Sequence, residues 1–304
     1  MADPHLSSSS PQLRQYAADP AEPDNGAIRR SRRWLARAQF WIALSIFAGV
    51  LTCALFAQWI APFDALSIAP GDSFLPPSGL HWFGTDQLGR DVYARVVQSA
   101  QITLMIAASV VALAGIAGSL LGIMAGYFGG IVDAVAMRLA DLQLALPAVI
   151  LAMVLAGVVE ASLGNLVIVL ALSSWARFAR VARGEVLSLR TRDFVLLARL
   201  AGASRRRIML RHLAPGVLGT FIVLATLDAG TIVLFEATLS FLGLGVQAPL
   251  ISWGGMIAEG RGFLNNAWWV CVFPGAVLIA TVLALNVLGD ALRDRLNPVI
   301  PQSW

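Results

Sequence analysis

The sequence contains no lysine, because all 22 of its basic residues are arginine. P-loop ATPases need a lysine in the phosphate-binding pattern G-x-x-x-x-G-K-[ST], so the sequence excludes that class of enzyme. Charge of either sign is scarce as well: Asp, Glu, Lys and Arg make up 13% of the 304 residues, against about 25% in soluble domains. Any ATP-driven work by this chain therefore needs a partner that binds the nucleotide.

Histidine and cysteine are also rare. The histidines His5, His81 and His212 lie outside the apolar runs, which argues against a membrane-embedded Ser–His protease and against a His-ligated metal enzyme. Cys53 and Cys271 lie within apolar runs, where small core residues are favoured over a disulfide or a redox pair. The sequence also offers no paired-carboxylate cleft and no activated nucleophile, so it predicts no catalytic residue, no metal and no cofactor.

What the chain has in excess is hydrophobic sequence, at 58% of all residues. A soluble domain of this length has too little interior to bury that much apolar surface. The apolar runs are long and unbroken, which indicates an all-α integral membrane protein. A span needs about 20 residues, and we predict six spans, near residues 40–60, 103–127, 138–159, 162–178, 216–238 and 269–289.

The distribution of arginine predicts how the chain is oriented. With both termini in the cytoplasm, nineteen arginines fall on the inner side and three on the outer side, as the positive-inside rule requires. We expect a disordered tail that becomes a basic anchor at 1–37, a transmembrane permease domain at 38–298 and a short tail at 299–304. The external loops are then 61–102 and 239–268, and the long cytoplasmic loop is 177–215.

Both predicted external loops are rich in residues that interrupt helices. The first contains four prolines, and the second contains several glycines together with Trp253 and Trp268, with Trp269 directly after it. Pro and Gly at this density do not continue a helix. The second loop is therefore expected to be an irregular or re-entrant cap with an aromatic belt at the outer interface.

The cytoplasmic loop 177–215 holds ten arginines and only two acidic residues. Its first part has apolar residues at helical spacing, which predicts a short helix with one apolar stripe. The stripe consists of Phe194, Leu197, Ala198 and Ala201.

A second short helix is expected over residues 205–213. Gly202 ends the first helix, Ser204 is a natural N-cap for the second, and Pro215 closes it. Arg205 and the two arginines after it lie in the first turn of this second helix, where the helix dipole disfavours cations. Lipid phosphates and an acidic protein partner could each account for them.

Three groups of motifs, in this order, resemble the dipeptide/oligopeptide/nickel family of ABC-importer permeases. FGTDQLGRDV at 83–92 is similar to the first external loop of its C-type subunit. FVLLARLAGAS at 194–204, followed by RHLAP at 211–215, resembles the EAA loop of ABC-importer permeases. LSFLGLGVQ at 239–247, SWG at 252–254 and LGDALRD at 288–294 are similar to the end of the same subunit.

The resemblance covers about residues 35–298 and implies a type I ABC-importer permease in a bacterial inner membrane. It implies a second permease subunit, two ATP-binding subunits and an extracytoplasmic substrate-binding protein as partners, with membrane lipid around the spans and no nucleic acid. Peptides or a related small solute would be the cargo, and the sequence leaves the particular solute open. The implied ATPase-coupling residues are Phe194, Leu197, Ala198, Gly202, Ala203, Ser204, Arg205 and Pro215.

The loop departs from the family pattern in two ways. Leu196 and Leu197 stand where the family has the Glu and the first Ala of the motif, and Ala214 replaces the usual Leu before Pro215. The loop geometry is expected to be retained, whereas a Glu-mediated contact to the ATPase cannot be assumed. The alternative is an amphipathic surface helix that binds only lipid.

Three carboxylates fall in or near the predicted spans. Insertion of Asp at the centre of a span costs about 2.5–3.5 kcal/mol on translocon scales. We expect Asp141 to pair with Arg138 at i, i+3. The resemblance places Glu236 near a gate or a subunit interface, and Asp228 either lines the pathway or bonds to the partner subunit.

The alternative function is a secondary transporter, or a lipid-facing scaffold without an ATPase partner. Secondary transporters favour inverted repeats and broken helices, and the sequence shows no internal repeat. The leading hypothesis is therefore the membrane subunit of an ATP-driven importer that is not itself an enzyme.

Overall fold

The computed structural model describes the backbone of residues 25–296 and the side chains of residues 37–296. The chain divides into two units, Met1–Trp41 and Ile42–Trp304. Most of the predicted N-terminal tail, residues 1–24, and the predicted tail 299–304 lie outside the described residues. Within the described range, helices are the only extended regular elements, and one isolated bridge joins Thr85 to Asp91.

Eleven α-helices follow one another along the described chain. They are α1 Asn25–Leu55, α2 Ala57–Ile60, α3 Val92–Phe128, α4 Gly130–Ala145, α5 Ala148–Val158, α6 Leu163–Leu189, α7 Asp193–Leu200, α8 Arg205–Ile208, α9 Ala214–Phe241, α10 Trp253–Gly260 and α11 Trp269–Leu296. A π-helical turn, Met209–Leu213, joins α8 to α9, and short 3-10 helices lie at Pro70–Asp72 and Arg261–Phe263.

The helices confirm the all-α membrane fold. Five of them are long and apolar enough to cross a bilayer, and α4 with α5 makes a sixth if the bent pair counts as one span. The five are Arg37–Leu55, Val92–Phe128, Leu163–Leu189, Arg205–Phe241 and Trp269–Leu296. Six spans were expected, and several of their predicted ends are wrong.

The first predicted external loop, 61–102, overlaps the start of α3. α3 begins at Val92, and the Asp91 carboxylate caps it by accepting a hydrogen bond from Ala94 N at 2.7 Å. A capping aspartate before an apolar run starts a helix, so the last part of that loop is helical. The predicted tail 1–37 also overlaps a helix, because α1 begins at Asn25.

The third predicted span, 138–159, is not a single helix. α4 and α5 meet at an angle of 94°. Leu146 has an extended backbone, with φ −96° and ψ 138°, and Pro147 follows it. A residue before proline is disfavoured in the helical region, so the sequence itself breaks the helix here.

The two ends of the helical bundle differ in character. Residues 61–91 and 242–268 together form what we call the cap end: Phe74 stacks near Phe263 with ring centroids 4.9 Å apart, and the Trp269 indole donates to Thr85 O at 3.0 Å. At the opposite end, the turn after α3 and the loop between α6 and α9 lie next to each other, because Arg190 donates to Gly126 O at 3.0 Å. We call this end the Arg-rich end.

The cap contains more regular structure than the sequence predicted. α9 continues to Phe241, and α10 lies inside the predicted external loop 239–268. Trp253 is fully buried and its indole donates to Val96 O at 3.0 Å, so it belongs to the core and not to an interfacial belt. Ser252 caps α10 by accepting from Gly255 N at 3.1 Å.

Candidate functional site

Three buried side chains anchor the loop between α6 and α9. Val195, Ile208 and Leu213 are each at most 1% exposed. They pack with Ile123 of α3, Val186 of α6 and Val217 of α9 in a second hydrophobic cluster at the Arg-rich end. The loop is therefore fixed to three long helices by apolar contacts, which makes it a firm surface.

A tight turn separates α7 from α8, as the sequence predicted. Gly202 has a φ of +78°, a conformation that glycine adopts without a steric penalty. Its neighbour Ala203 donates its N–H to Ala198 O at 3.0 Å, which satisfies a carbonyl at the end of α7. The Ser204 hydroxyl accepts from Arg207 N at 3.4 Å and caps α8.

The apolar stripe predicted on α7 faces away from the chain. Phe194 is 45% exposed, Leu197 is 63% exposed and Leu200 is 84% exposed, and Ala201 is exposed as well. Val195, on the opposite face, is the residue that packs inward. α7 thus presents apolar side chains outward from a rigid support.

Pro215 does not close the second short helix. It lies in the first turn of α9, and the helical path runs from Arg205 to Phe241 through the π-helical turn Met209–Leu213. Proline is tolerated in a first turn because the N–H it lacks has no partner there. The loop therefore leads directly into a membrane-spanning helix.

Arginines without acidic partners surround this loop. Arg199 lies over the Tyr127 ring at 5.5 Å, and Arg205 is exposed. In the part of the chain that the structure describes, no ion pair includes either arginine. A cavity of about 430 Å³ at this place is lined by Tyr127, Phe128, Arg199, Ala203, Arg205 and Ile208.

Asp228 has a cation as its partner within the chain. Arg177 of α6 donates through Nη1 to Asp228 Oδ1 of α9. The Asp228 side chain is 2% exposed and that of Arg177 is 46% exposed. Asp228 therefore has a partner within its own chain, and both roles left open for it stay predictions.

Two further ion pairs continue along α6 toward the Arg-rich end. Arg183 holds Asp133 of α4 with two hydrogen bonds, of which Nη2 to Oδ2 is 2.6 Å long. Arg180 donates to Asp141 Oδ1 at 2.6 Å. The predicted pairing of Asp141 with Arg138 is therefore wrong, because an arginine on the neighbouring helix binds the carboxylate instead.

Glu236 lies inside the core of this chain and not at a surface. It is 0% exposed, and one carboxylate oxygen accepts from the Ser240 hydroxyl at 2.6 Å. The Ser240 hydroxyl lies 3.5 Å from that of Ser252. A residue with no exposed area does not itself contact another subunit in this conformation, and its expected position near a gate stays a prediction.

A buried ionic cluster fixes the cap to α3. Asp86, which is fully buried, accepts from Arg90 Nε at 2.6 Å and also binds Arg95. Arg95 is 2% exposed and reaches Glu259 of α10 at 2.9 Å. Hydrogen bonds to every charge are what make such burial tolerable.

Two features of the site were not predicted from the sequence. Leu200 is the most exposed apolar residue of α7, yet it falls outside the predicted stripe. Arg177 escaped notice because it was assigned to the loop, although the spacing 177, 180 and 183 places three arginines on one face of a helix. The signal that could have pointed to Arg177 was Asp228, because a carboxylate within a span needs a cationic partner.

Comparison with known proteins shows the class to which this chain belongs. The chain belongs to the family of binding-protein-dependent transport system inner membrane components, whose family model matches residues 118–300. It is therefore an inner-membrane permease subunit of the ABC-importer class.

Individual relatives show which transport systems have permeases similar to this chain. The chain is 41% identical over 268 residues to a nickel transport system permease protein of Escherichia coli strain K12, covering 88% of this chain and 95% of the relative. It is 40% identical to a di/tripeptide transport system permease protein of Pseudomonas aeruginosa, over 82% of this chain and 84% of the relative. A dipeptide transport system permease protein of Alkalihalophilus pseudofirmus is 38% identical, over 84% of each chain.

Proposed function

We propose that this chain forms, with a second permease subunit, the pathway for a peptide or a related small solute. Relatives named for dipeptide, di/tripeptide and nickel transport support this class of cargo. Two ATP-binding subunits would supply the energy and an extracytoplasmic binding protein would deliver the solute. The bias of arginine toward one side of the membrane supports an inward-facing Arg-rich end and cytoplasmic termini.

The observation that carries this proposal is the outward-facing apolar surface of α7. Phe194, Leu197 and Leu200 are exposed at the Arg-rich end, while Val195 behind them is fully buried. An exposed apolar helix face on a fixed support is suited to insertion into a groove of another protein. Here that protein is the ATP-binding subunit. Leu196 and Leu197 make the contact apolar, without the carboxylate of the family pattern.

The decisive experiment places a charge on this surface. Leu200→Asp should reduce recovery of the ATP-binding subunits in a pull-down at least ten-fold, because a carboxylate would be buried in an apolar groove. Leu296→Asp is the matched control, since Leu296 is a 44% exposed leucine at the same end of the bundle but outside the loop. Both variants are compared at equal membrane abundance. Full recovery with Leu200→Asp, together with normal transport, would remove α7 as the coupling element.

The source of energy can be tested separately. The chain has no lysine for a phosphate-binding loop, so the purified chain should not hydrolyse ATP. The reconstituted complex should hydrolyse ATP, faster when loaded binding protein is added. ATP hydrolysis by the isolated chain would contradict the proposal.

A further inference from the structure

Arg177 and Asp228 lie at the midpoints of their helices. Arg177 is near the centre of Leu163–Leu189, and Asp228 is near the centre of Ala214–Phe241. Asp228 is buried, whereas almost half of the Arg177 side chain is exposed. Asp228 is also the one hydrogen-bond partner of the Arg177 guanidinium within the described chain. The Nε and Nη2 hydrogens therefore remain available to a further acceptor.

A half-exposed guanidinium within a candidate span does not fit hydrocarbon surroundings. Ionisable groups within spans face the interior of an assembly or a water-filled cavity, because lipid exposure is costly. Arg177 turns toward Asp228 and does not extend along the helix to the interface. Its exposed side therefore faces protein or water in the assembled importer.

The surface next to Arg177 is polar in the direction of the Arg-rich end. One turn further along α6, the Arg180–Asp141 pair is exposed, with side-chain exposures of 52% and 57%. The Arg183–Asp133 pair follows, with 31% and 20%. A continuous row of partly exposed charges is consistent with a water-filled vestibule and not with a lipid-facing surface.

The two helices that carry the central pair also flank the proposed coupling surface. α6 leads into the loop that contains α7, and the helical path out of that loop becomes α9. A movement of the loop would therefore act on both members of the Arg177–Asp228 pair. This places a charged contact and the proposed ATPase contact on the same two helices.

We propose that Arg177, held in place by Asp228, binds the carboxylate of the solute as it passes through the pathway. This inference rests on the proposed function and adds a specific subsite to it. A guanidinium offers parallel N–H groups that match a carboxylate. Asp228 orients the guanidinium and neutralises part of its charge, so the solute is held weakly enough to be released.

The test uses the complete importer in proteoliposomes with two probes, Ala-Ala and Ala-Ala amide. Uptake is measured at saturating loaded binding protein, so that the affinity of that protein for either probe does not enter. The variant carries Arg177→Gln and Asp228→Asn together, because Arg177→Gln alone would leave a buried carboxylate unpaired. Its maximal rate for Ala-Ala should fall about ten-fold, as expected for loss of a charge-assisted contact, and its rate for the amide should be unchanged.

The control variant is Arg180→Gln with Asp141→Asn, which removes the neighbouring exposed pair. It should retain the wild-type ratio of the two rates. Equal loss of both rates in the central variant, or no loss of either, would overturn the inference. Loss of co-purification with the second permease would also overturn it, since Arg177 would then bind an acidic group of that subunit. If wild type transports neither probe, the proposed peptide cargo fails, and this subsite fails with it.

Discussion

Gly122 of α3 lies directly against the backbone of Ala179 of α6. A Cβ atom on Gly122 would come within 2.2 Å of the Ala179 carbonyl oxygen. Gly118, one turn earlier, has the same relationship to the Trp175 carbonyl oxygen at 2.3 Å. Small residues allow membrane helices to approach closely, and van der Waals packing then holds them together. The contact between α3 and α6 thus depends on the absence of side chains at these positions.

Gly122→Ala should therefore destabilise the protein. The new methyl group meets backbone and not a flexible side chain, so the helices must separate, at a cost of about 1–3 kcal/mol for overpacking. Gly219→Ala of α9 is the control, because a Cβ there has no neighbour within 4 Å. It should be neutral or slightly stabilising. Thermal unfolding of the purified protein measures both, and equal unfolding temperatures would contradict this account of the α3–α6 contact.

The spans themselves were predictable, because their number follows from long apolar runs and a fixed bilayer thickness. Their ends were not predictable for a physical reason. α6 continues past Trp175 because its arginines are paired with acids on α4 and α9. Charge usually signals the end of a span, but a paired charge can lie within a helix. Only the fold brings those partners together.

The turn between α7 and α8 was predicted correctly, whereas the direction in which the apolar face of α7 points was not inferred from the sequence. Gly202 and Ser204 act locally, so their roles can be inferred from neighbouring residues. Helical spacing shows that Phe194 and Leu197 share a face, but it does not show what covers that face. Their exposure in the single chain agrees with a cover supplied by another subunit.

Removal of the buried carboxylate of the cap should be strongly destabilising. Asp86→Asn leaves Arg95 with a weaker partner at a position that is 2% exposed. Breaking one side of a buried ion pair costs about 3–5 kcal/mol. Asp64→Asn, at an exposed position of the same loop, should change stability by less than about 0.5 kcal/mol. Thermal unfolding distinguishes the two, and a small effect of Asp86→Asn would show that Glu259 alone is a sufficient partner for the buried Arg95.

The positive φ of Gly202 predicts that two substitutions at this position differ in their effect on binding of the ATP-binding subunits. Gly202→Val should cost about 1–2 kcal/mol locally, because a Cβ is strained in this backbone conformation. Gly202→Asn should be tolerated, since asparagine adopts the left-handed region more readily. No atom lies within 4 Å of the added Cβ, so strain and not a clash is the cause. Transport and recovery of the ATP-binding subunits should fall for Val alone. Equal loss for both variants would mean that the added side chain blocks a docking contact.

The orientation of the chain can be tested with single cysteines in a variant that carries Cys53→Ala and Cys271→Ala. Good positions must be exposed and outside the spans. Ser78 at the cap end and Ser204 at the Arg-rich end both meet this requirement. Ser252, which also lies in the cap, does not, because it is 1% exposed and its hydroxyl caps α10.

If the Arg-rich end faces the cytoplasm, Ser78→Cys should react with a membrane-impermeant thiol reagent in cells whose inner membrane is intact. Ser204→Cys should react only after that membrane is opened. Asn265→Cys, at a second exposed position of the cap, should behave as Ser78→Cys does, because both loops lie at one end of the bundle. Labelling of Ser204→Cys in intact cells would reverse the orientation. The exposed face of α7 would then lie on the wrong side to meet an ATP-binding subunit, so this result would also remove the proposed coupling role.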